Sequence, residues 1–211
     1  MKCKLEIVTG FLGSGKTSFI NSYIKTEICK NEKILIILLE KGNTEIDKNI
    51  ESIYLKDIDE LKDTIIKNIE KNNYNKIIIE VNGTILLDKV GDVLKDKDIR
   101  KKINLYGNYF LGNSKNLDVY IRNMGEFIIP FIQSSKLIIL NNVGEIEEER
   151  KSLLIKEIKN INLTAPILIF DNLESLNKEL LYNKYFKYTF MDKIFNTLLR
   201  RGKEWWFIWK E

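Results

Sequence analysis

Gly10-Phe11-Leu12-Gly13-Ser14-Gly15-Lys16-Thr17 has the residue types and spacing of a loop that wraps a polyphosphate. Its glycines let successive backbone N–H groups turn inward with no side chain in the way. Lys16 is placed to reach β- and γ-phosphate oxygens, and Thr17 to offer its hydroxyl oxygen to magnesium. Gly10, Gly13, Ser14, Gly15, Lys16, Thr17 and Ser18 are therefore the expected nucleotide-binding residues, with Lys16 also catalytic. A chance glycine-rich turn fits part of this pattern but not the complete octet.

A second constellation is Ile77-Ile78-Ile79-Glu80-Val81-Asn82-Gly83, an apolar run ending in a carboxylate with a glycine three positions on. A strand lying beside the first one delivers Glu80 close to the magnesium and the γ-phosphate. There it holds a magnesium-bound water or orients the attacking water. Gly83 offers a backbone N–H to the γ-phosphate, with no Cβ to block the approach. Glu40 follows the apolar run 34–39, and Asp47 lies in the polar stretch beyond it. Residues 41–49 are expected to form a switch loop, ordered by the triphosphate and released on hydrolysis. Thr17, Glu40, Asp47 and Glu80 make up the expected magnesium set. The plain alternative for each acid is a solvated carboxylate at a strand end or in a loop.

These residues need elements to hold them. Apolar runs at 5–9, 34–39, 77–81, 137–140 and 166–170 read as strands, the longer ones continuous enough to be buried on both faces. Helical patterns lie at 16–26, 57–72, 84–94, 145–159 and 188–200; in the second, Leu61, Ile65, Ile66 and Ile69 share a face. Residues 101–123 mix Tyr, Asn and Gly, with a strand expected around 103–110. The alternation predicts an α/β fold, a P-loop NTPase three-layer sandwich with a mostly parallel central sheet. The 211 residues suit a single domain over 1–211, its C-terminal arm beginning at about 185. Trp205, Trp206, Phe207 and Trp209 crowd that arm, suited to packing on a sheet edge or to docking a partner.

Composition removes several classes of function. Lys plus Arg total 34 against 30 acidic residues, an excess too small and too dispersed to argue for a nucleic-acid partner. No apolar run approaches a membrane span, and the strand and loop begin too early to leave room for a secretory leader. The two cysteines, Cys3 and Cys29, read as free thiols of a cytoplasmic protein. The absence of histidine rules out Ser-His-Asp triads, Cys-His pairs and histidine-ligated zinc.

The octet, GFLGSGKT, resembles the GFLGxGKT of CobW-type members of the CobW/UreG/HypB/MeaB group of P-loop GTPases. Residues 39–47, LEKGNTEID, are similar to that group's NEFGExxxD switch segment, with Glu40, Gly42 and Asp47 matching and Asn43 replacing an acid. Glu80 and Gly83 fit its ExxG form, and residues 133–141, QSSKLIILN, loosely follow its approach to the base-reading strand. The resemblance runs from residue 4 to about 170. It implies GTP with magnesium, slow hydrolysis, and service to a metal- or cobalamin-dependent client protein. Asn141 then corresponds to the Asn of the guanine-reading NKxD motif.

Two departures accompany the match. Asn141-Asn142-Val143-Gly144 keeps only the Asn of NKxD, so the carboxylate that accepts from guanine N1 and N2 is missing there. Discrimination against ATP should weaken unless Asp171 or Asn172, after the run at 166–170, compensates. The CxCC metal motif is also missing: residues 43–61 hold no cysteine, and soft metals need thiolate or imidazole. Cys3 with a carboxylate, or Cys29 from each of two copies in a homodimer, is the remaining thiolate option. The family's C-terminal domain has no counterpart before Glu211. Two other readings stay open, a small-molecule kinase and a non-hydrolysing nucleotide-binding scaffold. A kinase needs arginines over the phosphates, and Arg100, Arg122 and Arg150 are scattered.

Overall fold

The computed structural model describes residues 2–26, 29–42, 44–172 and 175–176. The expected helix at 188–200 and the tryptophan-rich arm lie outside them. Strand β1 (Cys3–Gly10) leads into helix α1 (Lys16–Tyr23), followed by β2 (Ile34–Leu38) and β3 (Glu51–Tyr54). Helix α2 (Leu61–Asn72) precedes β4 (Lys76–Asn82); α3 (Leu87–Lys95) and α4 (Lys97–Lys102) precede β5 (Ile103–Asn113). Then come α5 (Leu117–Asn123), α6 (Gly125–Ser134), β6 (Leu137–Asn141), α7 (Glu148–Ile161) and β7 (Ile167–Ile169). Among the described residues every strand pairing is parallel, in the order β3-β2-β4-β1-β5-β6-β7.

Alternation along the central strands sorts side chains onto two faces. Leu5, Ile7, Leu35, Ile37, Ile77, Ile79 and Val81 pack with side chains of α2 to α7, among them Leu61, Ile65, Val90, Phe131 and Ile158. Val8, Ile36, Ile78 and Ile139 point the other way, onto Phe19, Ile20 and Tyr23 of α1. Both faces are covered, which is why these strands read as unbroken apolar runs. The sheet and its two helical layers are the expected α/β sandwich.

Several elements differ from the sequence reading: α4 and α5 form where no helix was expected, and β3, α6 and β5 differ as well. β3 is short and mostly exposed, so it lacks the apolar run that marks its neighbours. α6 carries Pro130 inside it, a residue that argues against helix, yet Ile128, Phe131 and Ile132 of that helix are buried. β5 runs on to Asn113, past the expected end near 110. Its register against β1 shifts between Leu5 and Glu6, where Leu105 and Gly107 are the successive partners. Gly107 is needed there, because a Cβ would meet the Tyr109 hydroxyl at 2.4 Å.

Candidate nucleotide and magnesium site

The octet is the turn between β1 and α1. Gly10, Gly13 and Gly15 have φ of 144°, 76° and 86°, a region that only glycine enters at little cost. At Gly10 space is limiting as well, since a Cβ would stand 2.2 Å from the Leu111 oxygen. Gly15 caps α1 and no side chain caps it, so the first-turn N–H groups remain available to an anion at the positive end of the helix.

Because β4 lies directly beside β1, with Glu80 opposite Val8, the carboxylate emerges next to this turn. Thr17 Oγ1 lies 3.0 Å from both Glu80 oxygens. Lys16 Nζ donates to the Gly10 and Phe11 oxygens at 2.8 and 3.1 Å and pairs with Glu40 Oε2 at 2.7 Å. Burial pushes the Glu80 carboxyl above its usual range, against the opposing pull of Lys16 and Thr17 and with Glu40 adding to the rise. A cleft of about 320 Å³ opens on this set, lined by Leu12, Gly13, Gly15, Lys16, Thr17, Ser18, Glu40, Gly42, Thr44 and Glu80.

Of the predicted residues, Gly13, Gly15, Lys16, Thr17, Ser18, Glu40 and Glu80 thus meet around one cavity. Gly10 and Ser14 do not line it; the Ser14 N–H donates to the Phe11 oxygen within the turn at 3.1 Å. At Gly83 the N–H donates to the Gly10 oxygen at 3.2 Å, and a Cβ would press to 3.0 Å on the Gly10 and Phe11 backbone. The missing side chain lets β4 close against the loop. Asp47 does not line this cleft but an adjoining one, which it shares with Thr17, Glu40, Gly42 and Thr44. Its carboxylate pairs with Lys25 at 3.3 Å and accepts from Asn49, and its own N–H donates to Asn21 beyond the first turn of α1. Gly42 and Thr44 line the cleft without having been singled out as ligands, because nothing in an isolated loop sequence reveals which residues face inward.

Asn141 holds the turn from the β6 side. Its Nδ2 donates to the Ser14 oxygen at 2.8 Å, and Asn113 Nδ2 at the end of β5 reaches the Gly13 oxygen at 3.5 Å. Three residues past Asn141, the Gly144 N–H donates to Asp171 Oδ1 at 2.7 Å. Arg122 and Arg150 are both engaged by Asp118, at 3.2 and 2.7 Å, and neither they nor Arg100 line the cleft.

The donors fit magnesium. A hydroxyl and two carboxylates beside a phosphate cradle are hard oxygen ligands, and Mg²⁺ takes few protein ligands while keeping waters and phosphate oxygens. Thiolates lie elsewhere: Cys3 and Cys29 are buried, and burial pushes both thiols up to about 11. Among the described residues no helix is long and apolar enough to cross a membrane.

Comparison with known proteins adds the following. A family model described as CobW/HypB/UreG, nucleotide-binding domain, matches residues 4–169. The chain is 24 % identical over 188 residues to the zinc-regulated GTPase metalloprotein activator 1 of Schizosaccharomyces pombe, covering 78 % of this chain and 44 % of that protein. In structure it is similar to the zinc-bound YjiA GTPase of E. coli, with TM-score 0.65 and 17 % identity over 83 % of this chain and 61 % of that one. It is also similar to the hydrogenase maturation factor HypB of Archaeoglobus fulgidus, with TM-score 0.54 and 18 % identity over 85 % and 88 % of the two chains. The chain therefore spans less than two thirds of the yeast protein and of YjiA.

Proposed function

Because the chain belongs to the CobW/HypB/UreG nucleotide-binding domain family, we propose that it binds GTP with magnesium in this cleft and hydrolyses it slowly, as a regulator or chaperone of a metal- or cobalamin-dependent client protein. The observation that carries this reading is the meeting of Lys16, Thr17, Glu40 and Glu80 around one cavity at an uncapped helix N-terminus. The client role draws on the family and on a relative named as a metalloprotein activator.

Each residue has a task that its position supports. The free N–H groups of the turn and the first turn of α1 cradle the phosphates, and Lys16 adds a full positive charge as negative charge spreads over the γ-phosphoryl oxygens. Thr17, Glu40 and Glu80 are the residues to hold magnesium, which when bound neutralises phosphate charge. Glu80 also orients the water whose oxygen bonds to the γ-phosphorus as the bond to the β-phosphate oxygen breaks. Asp47 serves the switch segment instead, tying it to α1 through Lys25 and Asn21. Turnover is low until a partner or a second copy completes the site.

Calorimetry with GTP and magnesium tests the reading. Lys16→Ala should weaken binding about 100-fold, the loss expected when charge-assisted hydrogen bonds to phosphate go. Equal affinity of mutant and wild type would remove the site. Glu80→Ala should keep binding within a few-fold and slow phosphate release about 100-fold, in the range of a general base or water-positioning group; unchanged release would reduce Glu80 to a structural part.

A further inference from the structure

We propose that Asp171, two residues beyond β7, reads the base of the bound nucleotide and selects guanine. The inference rests on the nucleotide reading above and extends it to the other end of the ligand. The acids Glu40 and Glu80 stand on the β2–β4 side of the turn, so the terminal phosphates and magnesium belong there. The nucleoside then runs toward the ends of β5, β6 and β7, where Asn113 and Asn141 already touch the turn.

On that side the loop after β6 carries no carboxylate of its own at position 144. A Cβ built on Gly144 would lie 3.1, 3.2 and 3.4 Å from Asp171 Oδ1, Cγ and Oδ2. The Asp171 carboxylate therefore occupies the space into which a side chain at 144 would project. The Gly144 N–H holds Oδ1 there at 2.7 Å, and Ser175 Oγ accepts from the Asp171 N–H at 3.0 Å, so both ends of the residue are tethered. Oδ2 accepts no hydrogen bond among the described residues, and Asp171 is exposed. The neighbouring acid, Glu145, is paired with Lys115.

An exposed carboxylate in this place discriminates by chemistry. Guanine presents two adjacent donors, N1–H and the 2-amino group, to an acceptor-only carboxylate. Adenine presents an unprotonated N1, whose lone pair faces the carboxylate with nothing to share. Rejection by a group left without a partner is the strong form of selectivity. Gly144 and Asp171 are thus complementary: the absence of a side chain at one makes room for the carboxylate of the other.

Calorimetry with GTP, ATP and XTP, each with magnesium, on wild type and Asp171→Asn decides the matter. Asn is isosteric and still accepts from the Gly144 N–H, so the tether survives. Wild type should favour GTP over both others by at least about tenfold, one hydrogen-bonded group's worth. Asp171→Asn should lose about tenfold for GTP and gain for XTP, whose 2-oxo group accepts from the new amide. Equal wild-type affinity for GTP and ATP overturns the proposal while leaving the phosphate site intact. So does an equal loss for all three nucleotides in the variant, the signature of a merely structural aspartate. Failure of wild type to bind any triphosphate overturns the nucleotide reading itself, and this one with it.

Discussion

Helix α1 has a buried lysine and a buried carboxylate at each of its ends; the first set lines a cleft, and the second is fully buried among the described residues. Under the first turn, Lys16 meets Glu40, and Thr17 meets Glu80. Under the last residue, the Tyr23 hydroxyl donates to Glu6 Oε1 at 2.9 Å, and Lys76 Nζ lies 3.4 Å from the same oxygen and from Cys29 Sγ. Glu6 and Lys76 are both fully buried. Burial raises the Glu6 carboxyl, with Lys76, Tyr23 and Tyr109 opposing, just as burial raises Glu80 with Lys16 and Thr17 opposing. A perturbed carboxylate beside a lysine therefore does not mark a ligand site here. What separates the sets is access. The upper one lines the cleft, and its lysine also donates to two backbone oxygens. The lower one is closed over by the Tyr23 and Tyr106 rings, 5.2 and 5.8 Å from Lys76 Nζ.

The largest effect expected from this contrast is on stability. Lys76→Met leaves Glu6 buried without its cation, a change that costs about 3–5 kcal/mol. In a chain of this size that lowers the melting temperature by roughly 10 °C. Below the transition, GTP affinity should stay within a few-fold of wild type. An unaltered melting temperature, followed by circular dichroism, would show that the lower set is not the structural one.

At the upper end a smaller effect has the opposite sense. Glu40 engages Lys16, the lysine proposed to bind phosphate. Glu40→Gln should therefore strengthen magnesium-free GTP binding, by up to about tenfold if one charge-assisted contact is at stake. It should also shrink the further gain on adding magnesium, because one anionic ligand is lost. Titrations in excess chelator and in excess magnesium give both numbers. Weaker magnesium-free binding would mean that Glu40 does not compete for Lys16.

The same contrast separates what the residue order discloses from what it conceals. The upper set is legible because its loop is contiguous and because Glu80 ends an apolar run whose strand must lie near the first. Glu6 hides inside β1, flanked by Leu5 and Ile7, and its partners Tyr23, Lys76 and Tyr109 are 17, 70 and 103 positions away. Only the parallel register, with Leu5 opposite Ile77 and Ile7 opposite Asn108, gathers them. Gly83 is an intermediate case. A glycine just past a strand announces a close backbone approach, but the sequence does not say that the approaching group is the Gly10 carbonyl. Asp47 matches a pattern, yet its place is decided by Lys25 and Asn21, which the pattern does not contain. For Asp171, the choice against Asn172 awaits the pairing of β6 with β7, which sets the carboxylate against Gly144.

The finest test asks whether either set can be replaced whole. Exchanging both members of a buried ion pair for neutral groups of similar size removes two desolvation costs together with one attraction, so it is often close to neutral. Glu6→Gln keeps an oxygen to accept from the Tyr23 hydroxyl, and Lys76→Met keeps the length of the chain over the aromatic rings. The double variant should unfold within about 1–2 kcal/mol of wild type, recovering most of what Lys76→Met alone loses. Its GTP affinity should be unchanged. No neutral replacement of Lys16 together with Glu40 should do the same for nucleotide binding, because the partner we propose for Lys16 is the phosphate. A double variant at the lower end as unstable as Lys76→Met would mean that the charges themselves, and not their mutual cancellation, hold α1 to the sheet. The two ends of the helix would then differ in exposure alone.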